Sequence, residues 1–156
     1  MTTYLVRHAK AGVRSKWSGP DRLRPLSKTG RRQAAGLVRQ IRDLSREQPI
    51  IRINSSPYVR CIETVEPLAG KLKLDLELDD VLAEGARLTD ALRLVEKHAD
   101  ANVVMCMHGD VLPELLNYYA KSGVVLPHDR VEKGSTWALD WSHGTVEEVR
   151  YYAPRS

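Results

Sequence analysis

Three apolar runs in this chain break off in residues able to bind or attack phosphorus. Tyr4-Leu5-Val6 ends in Arg7-His8, Pro49–Ile53 leads to Ser55 and on to Arg60, and Val103–Met107 ends in His108-Gly109. Arginine offers a rigid fork of donors that matches phosphate oxygens. Imidazole near neutral pH serves as nucleophile or proton carrier, and glycine lets a backbone approach a ligand closely. Two guanidiniums and two imidazoles brought together would make a phosphate pocket with a nucleophile built in. In-line attack by one imidazole gives a phosphohistidine that water then hydrolyses. The arginines and the second histidine would neutralise charge on the equatorial oxygens. Such a scheme needs neither metal nor cofactor. Cys106-x-His108 lacks a second pair at ligand spacing, so it is not read as a metal site.

Each of these runs reads as a buried strand, and each break as the mouth of a helix. Ala34, Leu37, Val38, Ile41 and Leu44 fall at helical spacing behind Ser27 as N-cap. A second helix over Tyr58–Leu72 would take Ser56 as cap and Pro57 as first residue, with Pro67 and Gly70 marking a kink or an early stop. Leu74–Leu78 alternates apolar and acidic residues, as an exposed edge strand does. Asp79–Leu88 reads as loop, and Thr89 as the cap of a helix running to about His98. Another helix follows Asp110, with Pro113 in its first turn. Gly134–Trp141 and Thr145–Tyr151 read as paired strands around Ser142-His143-Gly144. His98, His128 and His143 read as surface or turn residues. The alternation predicts an α/β protein, a three-layer α/β/α sandwich with a largely parallel central sheet, forming one domain over residues 1–156. In such sheets ligands sit at the carboxyl ends of the strands, where helix N-termini favour anions.

Composition sets outer bounds. With 156 residues, 42% hydrophobic and 28% charged, the chain can bury a sizeable core. No apolar run is long enough to cross a membrane, and the first residues do not read as a secretion signal. Cys61 and Cys106 fall inside regular structure and read as buried free thiols in a reducing, cytoplasmic setting. The formal charge of +4 hides a split: residues 1–60 carry 14 Lys/Arg against 3 Asp/Glu, and residues 61–156 carry 10 against 17. An anionic partner suits the first part, while the acidic remainder argues against a long nucleic acid.

Four segments together resemble the histidine phosphatase superfamily, which includes the cofactor-dependent phosphoglycerate mutases. Val6-Arg7-His8-Ala9 resembles its Arg-His-Gly signature, with Ala9 in place of glycine. Pro25–Ala34 is similar to its first helix, Ser55–Thr64 to its "S-x-x-x-R-[AC]-x-[EQ]-T" segment, and Met107-His108-Gly109 to its late "[ST]-H-G". The resemblance implies a phosphoglycerate mutase-like fold, His8 as nucleophile, and Arg7, Arg60 and His108 as the phosphate pocket. It also implies that Glu84, in Leu82-Ala83-Glu84, is the general acid; Asp110 is its rival, although a carboxylate at a helix start more often serves as a cap. The short segment after Glu84 lacks the insertion of larger members, as in small bacterial phosphohistidine phosphatases. Lys10–Leu26 and Lys133–Trp137 resemble the phosphatase half of actinobacterial proteins fused to a Nudix diphosphatase, which implies association with a Nudix-type enzyme.

The loop from Lys10 to Arg24 follows the nucleophile directly and carries Lys10, Lys16, Arg22 and Arg24 around Trp17. Extra phosphates could take charge-assisted bonds from these cations, and Trp17 either stacks on a base or sugar or anchors the loop. With Ser55 and Gly109 they complete the expected substrate-binding set, and a nucleotide is the expected small phosphorylated substrate. Two readings stand beside this phosphatase: a protein phosphohistidine phosphatase, and a non-catalytic phosphate-binding regulatory module.

Overall fold

The computed structural model describes all 156 residues. In chain order the elements are β1 (Thr2–Arg7), α1 (Lys28–Leu44), β2 (Arg52–Ser55), α2 (Val59–Leu72), β3 (Leu76–Leu78), α3 (Leu88–Lys97), β4 (Val103–Met107), α4 (Val111–Lys121), β5 (Thr136–Ser142) and β6 (Thr145–Tyr152). They build one six-stranded sheet in the order β3-β2-β4-β1-β5-β6. β1 to β4 are mutually parallel, while β5 runs antiparallel to β1 and to β6. The predicted α/β/α layering is the one observed, and no helix is long and apolar enough to cross a membrane.

Period-two alternation along the central strands supplies both faces of the sheet. Tyr4 and Val6 of β1, with Val104 and Cys106 of β4, pack under Leu37 and Ile41 of α1 and Val65 and Leu68 of α2. Leu5, Met105 and Met107 point the other way, against Ala91 and Val95 of α3 and Leu112 and Leu115 of α4. β4, covered on both faces, is apolar throughout and entirely buried. His128, expected at the surface, is instead half-buried, its ring 5.1 Å from Trp137 and 4.1 Å from Tyr151.

Local corrections have physical causes. α2 begins at Val59 with Tyr58 as N-cap. Ser56 lies two residues before that cap: its backbone N–H extends the sheet to Cys106 O at 3.0 Å, and its Oγ accepts from Tyr58 N–H at 3.2 Å. Pro67 lies within α2 without ending it; the helix stops at Leu72, where Lys73 takes a left-handed φ of 58°. Arg87, not Thr89, is the N-cap of α3. The long loop after β1 is folded: 3-10 turns at Arg14–Lys16 and Asp21–Leu23 are closed at the base by a bridge between Ala11 and Leu26.

Candidate active site

Register brings the predicted residues together. Arg7 pairs with Met107 across β1 and β4, and Ser55 with Cys106 across β2 and β4. The residues that follow, His8, Ser56 and His108, therefore leave the sheet side by side. His8 N–H donates to Met107 O at 3.0 Å, carrying the ladder one residue past the strand. Gly134 N–H donates to His8 O at 3.0 Å, so the segment before β5 straps the same spot. Behind it, Ala9 N–H donates to Thr64 Oγ1 of α2 at 2.9 Å.

His8 is almost wholly buried, 6% exposed. Its Nδ1 lies 2.8 Å from Ala9 O, which can only accept, so Nδ1 carries the proton and Nε2 keeps its lone pair. Burial pulls its pKa down to about 3, with the charges of His108, Arg60 and Arg7 adding to the effect against the Ala9 hydrogen bond. The ring is thus neutral near pH 7, the form a nucleophile requires.

Around it stand the other three. The Arg7 guanidinium donates to Val131 O at 2.6 Å and lies flat on Gly109, where a Cβ would come within 2.5 Å of Arg7 Cζ. Gly109 serves by making room for that guanidinium. Arg60, only 1% exposed, donates to Asp21 O and pairs with Asp21 and Glu84 at 3.2 and 3.3 Å. The His108 ring sits edge-on to His8, with centroids 5.3 Å apart. Its Nε2 is 2.8 Å from Ser56 Oγ, which already accepts from Tyr58 N–H. Cys61 Sγ lies 3.5 Å from the same nitrogen, while Nδ1 is buried without a partner.

Arg7, His8, Arg60 and Gly109 open onto a cleft of about 560 Å³, also lined by Lys10, Arg14, Arg24, Glu84, Asp110 and Lys133, with His108 buried behind His8. Glu84 Oε1 is held by Arg60 and, at 3.5 Å, by Arg14. Both Asp110 oxygens are taken by backbone, Oδ1 by Val111 N–H and Oδ2 by Gly85 N–H, at 2.8 and 2.7 Å. Asp110 is the N-cap of α4 and ties the Glu84 loop to it.

Part of the expected substrate-binding set lies elsewhere. Lys16, Trp17 and Arg22 do not line the cleft, and Trp17 Nε1–H donates to Pro20 O within its own loop. Ser55 is fully buried and donates to Ser56 O; its neighbour Ser56 makes the histidine contact. Arg24 lines the cleft, but its head group is committed to Asp21 and Gly12 O. Sequence reasoning assigned Ser56 only a capping role and Lys133 only a place in the Lys133–Trp137 resemblance, and it offered no site role for Arg14 or Asp21. Lys133 sits beside the glycine that straps His8. Desolvation lowers its pKa, helped by the charges of Arg7, Arg24, Lys10 and Arg14.

A mostly parallel sheet with a neutral histidine at the end of its first strand, faced by two arginines and a second histidine, defines a phosphate-handling α/β class. Residues 3–90 match the profile of the histidine phosphatase superfamily, branch 1, and the chain belongs to that superfamily. The chain is 36% identical over 159 residues to the 8-oxo-(d)GTP phosphatase of Mycolicibacterium smegmatis, covering 98% of this chain and 48% of that protein. It thus spans about half the length of that relative. The transcription factor tau 55 kDa subunit of Saccharomyces cerevisiae is 33% identical over 96 residues, 55% of this chain and 21% of that one. Among solved structures, the protein histidine phosphatase SixA complexed with tungstate superposes with a TM-score of 0.73 at 17% identity. It covers 100% of this chain and 97% of its own, so the fold is shared.

Proposed function

We propose that residues 1–156 form a single histidine phosphatase domain that hydrolyses small phosphorylated compounds, nucleotides among them, through a phosphohistidine at His8. One observation carries this reading. Of seven buried side-chain atoms without a hydrogen-bond partner, three are Arg7 Nε, Arg60 Nε and His108 Nδ1, on the residues that surround His8. An orphaned donor costs about 1–3 kcal/mol, and Arg7 and Arg60 both line the cleft in which a phosphoryl group would meet them. His8 Nε2 attacks phosphorus, Arg7, Arg60 and His108 hold the equatorial oxygens, and water later cleaves the N–P bond. No metal enters these steps. Glu84, paired with Arg60 and Arg14, would have to give up those partners before protonating a leaving group. Lys10 and Arg24 extend the positive lining beside the nucleophile. The buried free thiols Cys61 and Cys106 suit a reducing cytoplasm. A Nudix-type partner is carried no further by any of the relatives described.

The test is His8→Ala with a chromogenic aryl phosphate, with and without a chelator. Turnover should vanish in the variant while its circular dichroism is unchanged, and the wild type should yield an acid-labile phosphoenzyme. Undiminished turnover in His8→Ala overturns the mechanism. Phosphate binding with no turnover in the wild type assigns a regulatory module instead. A phosphohistidine peptide that outcompetes every nucleotide assigns a protein phosphatase.

A further inference from the structure

We propose that Lys10, Arg14 and Lys133 form a subsite for a second phosphate, so that the cleft is built for a phosphoanhydride such as a nucleoside diphosphate, whose terminal phosphate passes to His8. This rests on the histidine phosphatase reading and narrows its substrate.

The first ground is surplus charge. One phosphoryl group is served by Arg7, Arg60 and His108, yet the same cleft is lined by four more cations. Arg24 is committed to Asp21 and Gly12. Lys10 and Lys133 make no ion pair, and Arg14 is held only by longer contacts of 3.5 Å to Asp21 and Glu84. Like charges gathered without partners repel one another, and a second phosphate group would relieve that repulsion. Burial first, and those cationic neighbours after it, lower the pKa of Lys133.

The second ground is the state of the acids. An alkyl phosphate must expel an alkoxide, which needs a proton as it leaves. Yet every carboxylate close to the cleft is engaged. Asp21 pairs with Arg14, Arg24 and Arg60, Asp110 with two backbone N–H groups, and Glu84 with two guanidiniums. A phosphate leaving group has a second pKa of about 6, so at neutral pH it departs unprotonated. The site fits a leaving group that needs no acid.

The chemistry balances without a further reactant. The Nε2 lone pair of His8 forms an N–P bond to the terminal phosphorus, and the anhydride P–O bond breaks with its electron pair on the bridging oxygen. That oxygen leaves as part of a phosphate monoester held by Lys10, Arg14 and Lys133. Water then attacks the phosphorus, the N–P electrons return to Nε2, and orthophosphate and a proton are released.

The experiment compares kcat/KM for an aryl phosphate, a nucleoside monophosphate and the matching diphosphate, in the wild type and in Arg14→Ala/Lys133→Ala. Charge-assisted contacts are each worth roughly tenfold or more. The wild type should therefore prefer diphosphate over monophosphate by at least about a hundredfold, and the double variant should lose at least about tenfold of that preference. As a check that depends on no variant, methylenediphosphonate should inhibit aryl phosphate turnover at concentrations at least about tenfold below orthophosphate. Equal use of mono- and diphosphate, or equal inhibition by the two anions, overturns the subsite while leaving the phosphatase standing. Absence of turnover on all three substrates would instead defeat the phosphatase reading beneath it.

Discussion

Side chains at this site hold one another in place, and Arg7 shows how closely. Gly109 leaves the space its guanidinium fills, and the atoms an added Cβ would meet, at 2.5 to 2.7 Å, belong to that guanidinium. Gly109→Ala should therefore push Arg7 off the phosphate position. We expect kcat/KM for an aryl phosphate to fall at least about tenfold, the worth of one charge-assisted contact, while Tm stays within a degree or two; an unchanged kcat/KM would show that Arg7 does not need that seat. Arg7, His8 and His108 were legible in the sequence because each immediately follows or ends a strand, where position along the chain fixes position in space. Arg14 and Lys133 were not, because loops deliver them. Within the 3-10 turn Arg14–Lys16, successive side chains are roughly 120° apart, so facing Arg14 to the cleft turns Lys16 away. Lys133 reaches the site through backbone bonds between Gly134 and residues 7 and 8, which no local pattern announces.

At the scale of elements, the start of α1 is fitted to the chain just beyond His8. Ser27 Oγ accepts from Gly30 N–H and donates to Lys10 O, joining helix cap and cleft rim. A Cβ on Gly30 would fall 2.0 Å from Lys10 O and 2.9 Å from its carbonyl carbon. Helix propensity alone predicts that Gly30→Ala stabilises by about 1 kcal/mol. Contact with immovable backbone predicts the opposite, and we expect Tm to drop by several degrees in thermal unfolding; a rise would mean the rim yields freely. The helices and strands themselves were legible because their apolar periods match the buried faces. The cap expected at Ser56 moved to Tyr58 because Ser56 still belongs to the sheet through its backbone N–H, and Thr89 lost its place to Arg87, whose side chain makes no cap bond at all.

For the whole molecule, burying a neutral His8 ties stability to pH. The unfolded chain binds a proton at residue 8 below about pH 6.5, whereas the folded molecule refuses it until about pH 3. Between those values the unfolded state holds more protons, so stability rises with pH and is lost as pH falls. One full proton corresponds to about 1.4 kcal/mol per pH unit. Urea midpoints of His8→Asn should accordingly vary less between pH 6.5 and 4 than those of the wild type. Parallel curves would mean that His8 is not the group refusing the proton.

β1, which leads into His8, is made before the other strands of its sheet and is among the last to be completed. Its two neighbours in the sheet are formed by residues 103–107 and 136–140. At a ribosomal pace of about 5–20 residues per second, roughly 6 to 30 seconds separate its emergence from that of its second neighbour. During that interval Tyr4, Leu5 and Val6 travel with an open hydrogen-bonding edge, exposed to any chaperone or sister chain nearby. His8 gains its strap from Gly134, just ahead of β5, only as that edge closes. A nascent chain stopped short of β5 is at once unstrapped at His8 and adhesive along β1.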